Sequence, residues 1–348
     1  MNLNIETMAE TLLVADSDAN AKVSGTLGPL EFAPLLKRAR WGGTRLGSLL
    51  GKEVGSGSEW AESWEVADLP ADQSVVQGGP CATLSLQDLV REHSVLLLGR
   101  HAGHARFPLL CKFLDASDRL SVQVHPDDAY AARHGLRNGG KSEAWVVVAA
   151  EAGSRIYAGL RSGITRERLQ SAMTGGTVEE CLESHIVSVG DCFNIPAGTV
   201  HAIGEGVVIA EVQQPSDLTF RLFDWNRTDA QGQPRALHFQ ESLDCTDFDA
   251  SPVAPAIPRR IRSGEGVVEE LLSTPHFDLR RFSGAGNWAI EDDDRCHVLM
   301  VLDGSGQLAS EGELLDLARG RTVLLPAHRS ATRFELSKDG IILDAYLP

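Results

Sequence analysis

Apolar and polar residues alternate along residues 120–125, and the alternation has the period of a β-strand. Val122 and Val124 are predicted to point to one face, and Ser121, Gln123 and His125 to the other. A hydroxyl, an amide and an imidazole in one row are poorly suited to dry packing. This face could instead line a solvated cavity, where a neutral imidazole could hold a metal ion. The commoner alternative is a core histidine with satisfied hydrogen bonds, and this strand alone does not decide between them.

The same period predicts further strands downstream, at residues 142–148, 192–195, 200–203 and 207–214. Residues 165–184 are instead typical of two capped helices joined by Gly175 and Gly176, which together would form a small helical insertion. The chain is therefore predicted to be mainly β.

Shorter helices are predicted at three other places. Ser85 is a suitable N-cap for a short helix that begins at Leu86, and residues 127–134 predict another. Residues 8–15 could form an amphipathic helix within a loose N-terminal tail, residues 1–24.

The proline-rich stretch at residues 251–258 is the best candidate for a linker. Beyond it, the sequence GRTVLLPA at 320–327 matches GDCFNIPA at 190–197 in the spacing of its glycine and its Pro-Ala pair. The position equivalent to His201 is then Ala331. Residues 251–348 are therefore predicted to form a second, smaller β unit without metal ligands, although a match this short could also arise by chance.

Composition excludes some classes of partner. The 348 residues carry a net charge of -16, which argues against nucleic acid because phosphate contacts need clustered Lys and Arg. A small anionic substrate is still compatible, since a few local cations can hold one phosphate. The six cysteines form no C-x-x-C pair, and most of them lie within apolar runs that predict small buried hydrophobic side chains. We found no leader peptide and no run of 18 apolar residues, so a cytoplasmic protein without a membrane partner is expected.

Four residues combine into a candidate metal site: Gln123, His125, Glu143 and His201. His125 and Glu143 are 18 residues apart on different predicted strands, and His201 begins a third strand 58 residues later. Two imidazoles, a carboxylate and an amide oxygen suit a borderline divalent ion, zinc first, with positions left for water or substrate. Spacing alone does not show that three strands converge, so unrelated core residues are an equally good interpretation at this point.

Several long motifs occur in order and at suitable spacing. They are SVQVHPDD at 121–128, GKSEAW at 140–145, IPAGTVHAI at 195–203 and EVQQPSDLTFRLFDW at 211–225, with KRARWGGT at 37–44, ESWE at 62–65 and FPLL at 107–110 upstream. Together they resemble the type I mannose-6-phosphate isomerases, most closely the short bacterial branch of that cupin family. The resemblance runs from about residue 29 to the C-terminus.

The resemblance implies a cupin (jelly-roll) β-barrel catalytic domain over residues 25–250, with one zinc ion per subunit held by Gln123, His125, Glu143 and His201. It also implies reversible isomerisation of mannose 6-phosphate and fructose 6-phosphate through a cis-enediol, in mannose catabolism or GDP-mannose synthesis. A cytoplasmic monomer or weak homodimer is expected. Two alternatives stay open: a non-catalytic sugar-binding cupin derived from this family, and an isomerase of another sugar phosphate.

The resemblance also implies roles for individual residues. Arg221 matches an active-site arginine and is expected to stabilise the enediolate or position sugar oxygens. Lys141 and Ser121 match residues that contact the phosphate, Lys141 also being a candidate for catalysis. Asp217, which lies between Glu211 and Arg221, is expected to bind substrate.

Glu211 is the expected general base, since a partly buried site could tune its pKa toward neutrality. Family mechanisms also use a histidine immediately before the Lys141 position, where this chain has Gly140. That departure removes one candidate base and leaves Glu211, or a metal-bound water, to carry the role.

Overall fold

The structure is a computed structural model that describes residues 25–228, 232–263, 266–290, 292–310 and 313–348. The predicted tail and its helix over residues 8–15 lie outside the described residues. The mainly β prediction is confirmed: two β-sandwich units follow one another along the chain. No helix among the described residues is long and apolar enough to cross a membrane.

The first unit contains thirteen strands in the described residues. They are β1 (Leu35–Gly43), β2 (Trp60–Val66), β3 (Asp68–Leu69), β4 (Asp72–Gln73), β5 (Leu110–Ala116), β6 (Val122–Val124), β7 (Glu143–Ala150), β8 (Arg155–Leu160), β9 (Leu182–Ile186), β10 (Cys192–Ile195), β11 (His201–Ile203), β12 (Val207–Gln213) and β13 (Phe220–Phe223). Its helices are α1 (Arg45–Ser48), α2 (Leu86–Leu98), α3 (Asp128–Arg133), α4 (Arg166–Gly175) and α5 (Phe239–Cys245), with 3₁₀ turns at Gly99–His101 and Val178–Cys181.

The second unit contains ten strands in the described residues. They are β14 (Arg259–Ser263), β15 (Val267–Ser273), β16 (Asp278–Ser283), β17 (Gly286–Ile290), β18 (His297–Asp303), β19 (Ser305–Ser310), β20 (Glu313–Ala318), β21 (Thr322–Leu325), β22 (Thr332–Leu336) and β23 (Ile341–Tyr346).

Capping residues position the helices largely as predicted. Ser85 and Asp88 form a reciprocal capping box at the start of α2, whose helical backbone is interrupted by a kink at His93 (φ -127°) before it continues to Leu98. Thr165 caps α4, and Gly176 ends it in the left-handed conformation with φ 70°. The second helix predicted in residues 165–184 is wrong, because after one 3₁₀ turn the chain enters β9.

The two units have the same strand topology. In the first, the sheets are β1-β2-β5-β12-β7-β10 and β13-β6-β11-β8-β9; in the second, they are β14-β15-β16-β23-β18-β21 and β17-β22-β19-β20. β3, β4 and β13 of the first unit have no counterpart among the described strands of the second. Each of the other described strands occupies the same place in its sheet as a strand of the other unit. The internal sequence match at 190–197 and 320–327 includes β10 and β21, which hold the same place at a sheet edge. The boundaries at residues 25, 250 and 251 stay a prediction.

One position of that match needs correction. Ala331, five residues after Pro326, is exposed, while the neighbouring Thr332 is 2% exposed and begins β22. The inward position that corresponds to His201 is therefore Thr332, because the loop between the Pro-Ala pair and the next strand is one residue longer in the second unit.

The six-stranded sheets of both units share a single hydrophobic core. Along β12, Val208, Ala210 and Val212 belong to a buried cluster that also contains Leu279 and Leu343 of the second unit. The alternate residues of β12, Val207 and Ile209, face the interior of the first unit instead. Both faces of this sheet are thus covered, which explains why its central strands read as nearly continuous apolar runs.

Charged residues occupy matching inner positions of the two units. In the first unit, Ile195 of β10 pairs with Glu143. In the second, Leu325 of β21 pairs with His297, and both Ile195 and Leu325 directly precede a Pro-Ala pair. Likewise, Glu211 lies opposite Lys112 on the neighbouring strand, and Asp344 lies opposite Arg280. The second unit therefore has His297, Asp344 and Arg280 where the first has Glu143, Glu211 and Lys112.

In the second unit these groups neutralise one another. His297 Nδ1 lies 2.8 Å from Asp344 Oδ1, Arg280 Nη2 lies 2.8 Å from Asp344 Oδ2, and His297 Nε2 lies 3.2 Å from Asp293 Oδ1. Burial disfavours the protonated imidazole, but Asp344 and Asp293 outweigh it and raise the pKa of His297. Protonated His297 therefore contributes to the stability of this unit.

His297→Gln should destabilise the protein in a pH-dependent way. Because the folded-state pKa is raised, the contribution of His297 is fully present below its unfolded-state pKa of about 6.5 and is lost as the pH rises through the folded-state value. Urea unfolding should show a loss of about 3 kcal/mol at about pH 6 and a smaller loss at about pH 9. The half-exposed His93→Gln is the control, and an equal loss at both pH values for His297→Gln would contradict the assignment.

Candidate active site

The candidate site lies inside the first unit, between the inner faces of its two sheets. On the smaller sheet, His201 of β11 and Arg221 of β13 both lie opposite Gln123 of β6, so the three side chains share one face. On the larger sheet, Glu143 begins β7 and Glu211 lies on the neighbouring β12. Strand pairing thus brings together residues that are distant in the sequence.

His125, Glu143 and His201 form a compact buried group. Their ligand atoms all lie within 4.8 Å of one another, and none of the three residues is more than 3% exposed. Glu143 Oε1 lies 3.2 Å from His201 Nε2 and 3.5 Å from His125 Nε2. Among the residues that the structure describes, this is the single group of three or more His, Cys, Asp or Glu side chains that could hold a metal ion.

The chemistry of this group fits a divalent metal ion. His201 Nδ1 lies 2.9 Å from the Thr199 carbonyl oxygen and can donate to it, which leaves the Nε2 lone pair directed toward the group. Burial lowers the pKa of His201 and lowers that of His125 to about 3, so both imidazoles are neutral and able to act as ligands. The buried Nδ1 of His125 has no hydrogen-bonding partner among the described residues.

A cation already lies against this group. Lys141 Nζ is 3.0 Å from Glu143 Oε2 and 3.1 Å from His125 Nε2. Burial would raise the pKa of Glu143, but Lys141 and the two imidazoles outweigh it and hold the pKa well below the ordinary value. Glu143 is therefore a carboxylate, and the donor set attracts positive charge.

Gln123 is placed to complete the donor set but makes a different contact here. Gln123 lies opposite His201 in the sheet register, and its Nε2 donates to Ser121 Oγ at 3.1 Å. This hydrogen bond does not use the amide oxygen, which is the atom that would bind a metal ion. Gln123 is partly exposed and lines the cavity, whereas the buried His125 does not line it.

A second buried charged group stands beside the first. Lys112 Nζ lies 3.2 Å from Glu211 Oε1 and 3.3 Å from Glu62 Oε2, and Trp64 Nε1 donates to Glu62 Oε2 at 2.7 Å. Burial and the charge of Glu143 raise the pKa of Glu211, although Lys112 acts in the opposite direction. The pKa of Glu62 is lowered instead, because the charge of Lys112 outweighs the effect of burial.

Lys112 and Glu62 were not among the site residues proposed from the sequence. The available signal was a lysine inside the otherwise apolar run 107–114, which indicates either a snorkelling side chain or a polar cavity. The structure shows the second situation, with Lys112 only 6% exposed. Nothing in the local sequence identified Glu62 as its partner, since the two residues are 50 positions apart.

A cavity of about 370 Å³ joins both charged groups to the surface. The site residues predicted from the sequence line it with the exception of His125; they are Ser121, Gln123, Lys141, Glu143, His201, Glu211, Asp217 and Arg221. Arg221 Nε donates to Ser121 Oγ at 3.1 Å, and its Nη1 donates to the Ala236 carbonyl at 3.1 Å. Asp217 Oδ1 accepts a hydrogen bond from Asn138 Nδ2.

Arg235 adds a second guanidinium to the cavity wall. Arg235 Nη1 lies 3.7 Å from Asp224 Oδ2, and the other oxygen of Asp224 lies 2.5 Å from Arg227 Nη2. Arg221 and Arg235 line the same cavity, and burial together with the charge of Arg235 lowers the pKa of Arg221. This part of the cavity is therefore suited to a dianionic group.

Gly140 explains why this chain lacks a histidine before Lys141. A Cβ at position 140 would lie 2.5 Å from the Asp128 nitrogen and 2.7 Å from the Asp127 carbonyl carbon. The backbone of residue 140 instead donates to Asp128 Oδ1 at 2.7 Å. No larger residue fits here without moving the start of α3. A histidine at position 140 would therefore clash with the backbone of this protein.

Comparison with known proteins gives the family of the chain. Residues 30–159 match the family described as "Phosphomannose isomerase type I, catalytic domain". The chain is 36% identical over 306 residues to mannose-6-phosphate isomerase ManA of Bacillus subtilis (86% of this chain, 94% of the relative). It is 34% identical over 307 residues to mannose-6-phosphate isomerase of Streptococcus mutans (88% of this chain, 95% of the relative).

The fold is also similar to a solved structure of the same kind of enzyme. The crystal structure of the mannose 6-phosphate isomerase from Bacillus subtilis matches with a TM-score of 0.84 at 27% identity, and the match covers 92% of this chain and 99% of that one. The chain belongs to the type I mannose-6-phosphate isomerase family.

Proposed function

We propose that the protein interconverts mannose 6-phosphate and fructose 6-phosphate through a cis-enediol, with one zinc ion bound in the first unit. The observation that carries the proposal is the buried group of His125, Glu143 and His201, two of whose members, Glu143 and His201, line the same cavity as Glu211 and Arg221. The family membership and the names of the relatives support the same reaction.

His125, Glu143 and His201 would hold the zinc ion, with the Gln123 amide oxygen as a fourth ligand. Neutral imidazoles, a carboxylate and an amide oxygen are a suitable donor set, and it contains no thiolate. When bound, zinc would stabilise the negative charge that develops on the sugar oxygens.

Glu211 would move the proton between C2 and C1 of the sugar. A carboxylate with a raised pKa is a stronger base than an exposed one, and it can return the proton after taking it. Lys112 would hold the carboxylate in place through its 3.2 Å ion pair, and Glu62 would fix Lys112 from the other side. These contacts act as supports for the base.

Arg221 would stabilise the enediolate or position sugar oxygens, with Ser121 orienting its guanidinium. The phosphate contacts of Ser121 and Lys141 inferred from the resemblance stay proposals, as does the substrate contact of Asp217. To them we add Arg235, since its guanidinium lines the cavity beside Arg221 and its pairing with Asp224 is long. A phosphate dianion held there would place the sugar chain toward Glu211 and the metal group.

A non-catalytic sugar-binding protein is less well supported. Such a protein would have no use for a buried carboxylate held at a raised pKa by its surroundings, and keeping one costs stability. Retention of Glu211, Lys112 and Arg221 around one cavity favours an enzyme.

Removal of the metal should abolish activity reversibly. In a coupled assay of fructose 6-phosphate formation from mannose 6-phosphate, chelator treatment should lower the rate by about a hundredfold or more, and added zinc should restore it. His201→Ala should bind zinc more weakly by about ten- to a hundredfold, with folding retained as judged by circular dichroism. Full activity in metal-free protein would contradict the proposed metal role.

Glu211→Gln should lower kcat by about a hundred- to ten-thousandfold, because an amide cannot accept the C2 proton. Bound zinc, measured by elemental analysis, should stay as in the wild type, since Glu211 is not a proposed ligand. Glu205→Gln, an exposed position in the turn before the same strand, is the matched control. If Glu211→Gln kept wild-type kcat, Glu211 would not be the base.

Arg235→Ala should raise KM for mannose 6-phosphate by about five- to twentyfold with little change in kcat, because the guanidinium would bind the phosphate and not the reacting carbons. Arg235→Lys should recover part of the loss. Steady-state kinetics on the three proteins provides the comparison, and a fall in kcat at unchanged KM would instead place Arg235 at the reaction centre.

A further inference from the structure

A second cavity, of about 510 Å³, lies on the other side of the segment that carries Lys141. Basic side chains from three separate parts of the chain line it: His101, His104, Arg106, Arg137 and His276. We call this cavity the basic groove. Two guanidinium groups and three imidazoles around one cavity are unusual on a protein with a net charge of -16, and they indicate an anionic ligand.

The two arginines of the basic groove lack ion-pair partners among the described residues. Neither Arg106 nor Arg137 forms an ion pair within the part of the chain that the structure describes. The acidic side chain on the groove wall is Asp128, and its two oxygens already accept from the Gly140 nitrogen at 2.7 Å and from Gln214 Nε2 at 3.1 Å. Both guanidinium groups are therefore available to a ligand.

The surroundings of His101 show the same excess of positive charge. Burial lowers the pKa of His101, and the neighbouring Arg100, His104 and Arg295 lower it further, while Asp294 opposes them. An anion bound in the groove would relieve this repulsion.

The groove and the candidate active site share a wall, the segment 137–143. Arg137 and Asn138 line the groove, whereas Lys141 and Glu143 line the active-site cavity. Asn138 Nδ2 donates to Asp217 Oδ1, which is on the active-site side. Asn138, the neighbour of Arg137 in the sequence, therefore connects the wall of the groove with the active-site cavity through one hydrogen bond.

Two further bonds tie this segment to its neighbours. Asp128 accepts from the backbone of Gly140, and the Ser142 nitrogen donates to Gln214 Oε1 at 2.9 Å. Asp128, Gly140 and Gln214 all line the groove. The position of Lys141 therefore depends on groups that a ligand in the groove would contact.

We propose that the basic groove binds a small phosphate-bearing anion, and that binding there changes turnover at the active site through the segment 137–143. Two guanidinium groups can hold one phosphate through paired charge-assisted hydrogen bonds. The effect on turnover rests on the proposed isomerase function, whereas binding to the groove does not.

The test uses the full-length, zinc-loaded protein and inorganic phosphate as the probe. Isothermal titration should show two classes of phosphate site in the wild type. The double variant Arg106→Ala/Arg137→Ala should bind phosphate about tenfold or more weakly at one class and keep the other. Arg221→Ala should weaken the opposite class. Arg133→Ala, which removes an exposed arginine of α3 outside the groove, is the control and should titrate like the wild type.

Kinetics of the same proteins tests the coupling. Phosphate should lower or raise kcat as well as change KM in the wild type, and should act as a purely competitive inhibitor in the double variant. An identical titration for the wild type and the double variant would overturn the proposed site, whatever the activity. Loss of one class of site with no change in the inhibition pattern would overturn the coupling.

Discussion

The alternation of side chains across the central six-stranded sheet is the constraint on which the rest of the structure depends. One face of β12 packs Val208, Ala210 and Val212 into the core shared with the second unit, and the other carries Glu211 toward the cavity. A slip of one residue in register would bury the carboxylate between the units and turn the valines into the cavity. The large apolar contact between the units therefore fixes the inner face, and with it the distances among Glu211, Lys112 and Glu143.

The two units have the same strand topology but use the charged residues at matching positions in different ways. In the first, Glu143, Glu211 and Lys112 face a cavity and leave ligand atoms available. In the second, His297, Asp344 and Arg280 occupy the matching positions and satisfy one another. A closed network of this kind stabilises a fold, whereas incompletely paired groups around a cavity can bind and react. Since the smaller sheet of the second unit offers Thr332 where the first has His201, no metal group forms around His297 within the described residues.

Local patterns in the sequence were sufficient to predict the strands that carry the site, because period-two alternation and capping residues are short-range signals. The mainly β fold, the caps at Ser85 and Thr165 and the shared face of Ser121 and Gln123 all followed from them. The convergence of His125, Glu143 and His201 did not, because strand pairing over 18 and 58 residues is a tertiary property. It was reached only through the resemblance to a known family.

Other features could not be predicted for similar reasons. The pairing of Lys112 with Glu62 joins residues of two strands that local sequence does not relate. No local sequence pattern marks Arg235 as a residue of the cavity wall. The steric reason for Gly140 is a contact with the start of α3. The second helix predicted in residues 165–184 was wrong because capping signals do not report that Leu182 is fully buried in a strand of the smaller sheet.

The inner face of the first unit is proposed to form a metal centre without sulfur ligands. X-ray absorption at the zinc edge tests it most directly, on the wild type and on His201→Ala. We expect only nitrogen and oxygen neighbours at about 2.0–2.2 Å, with an imidazole contribution that decreases in the variant. A sulfur neighbour at about 2.3 Å, or a spectrum unchanged by His201→Ala, would contradict it.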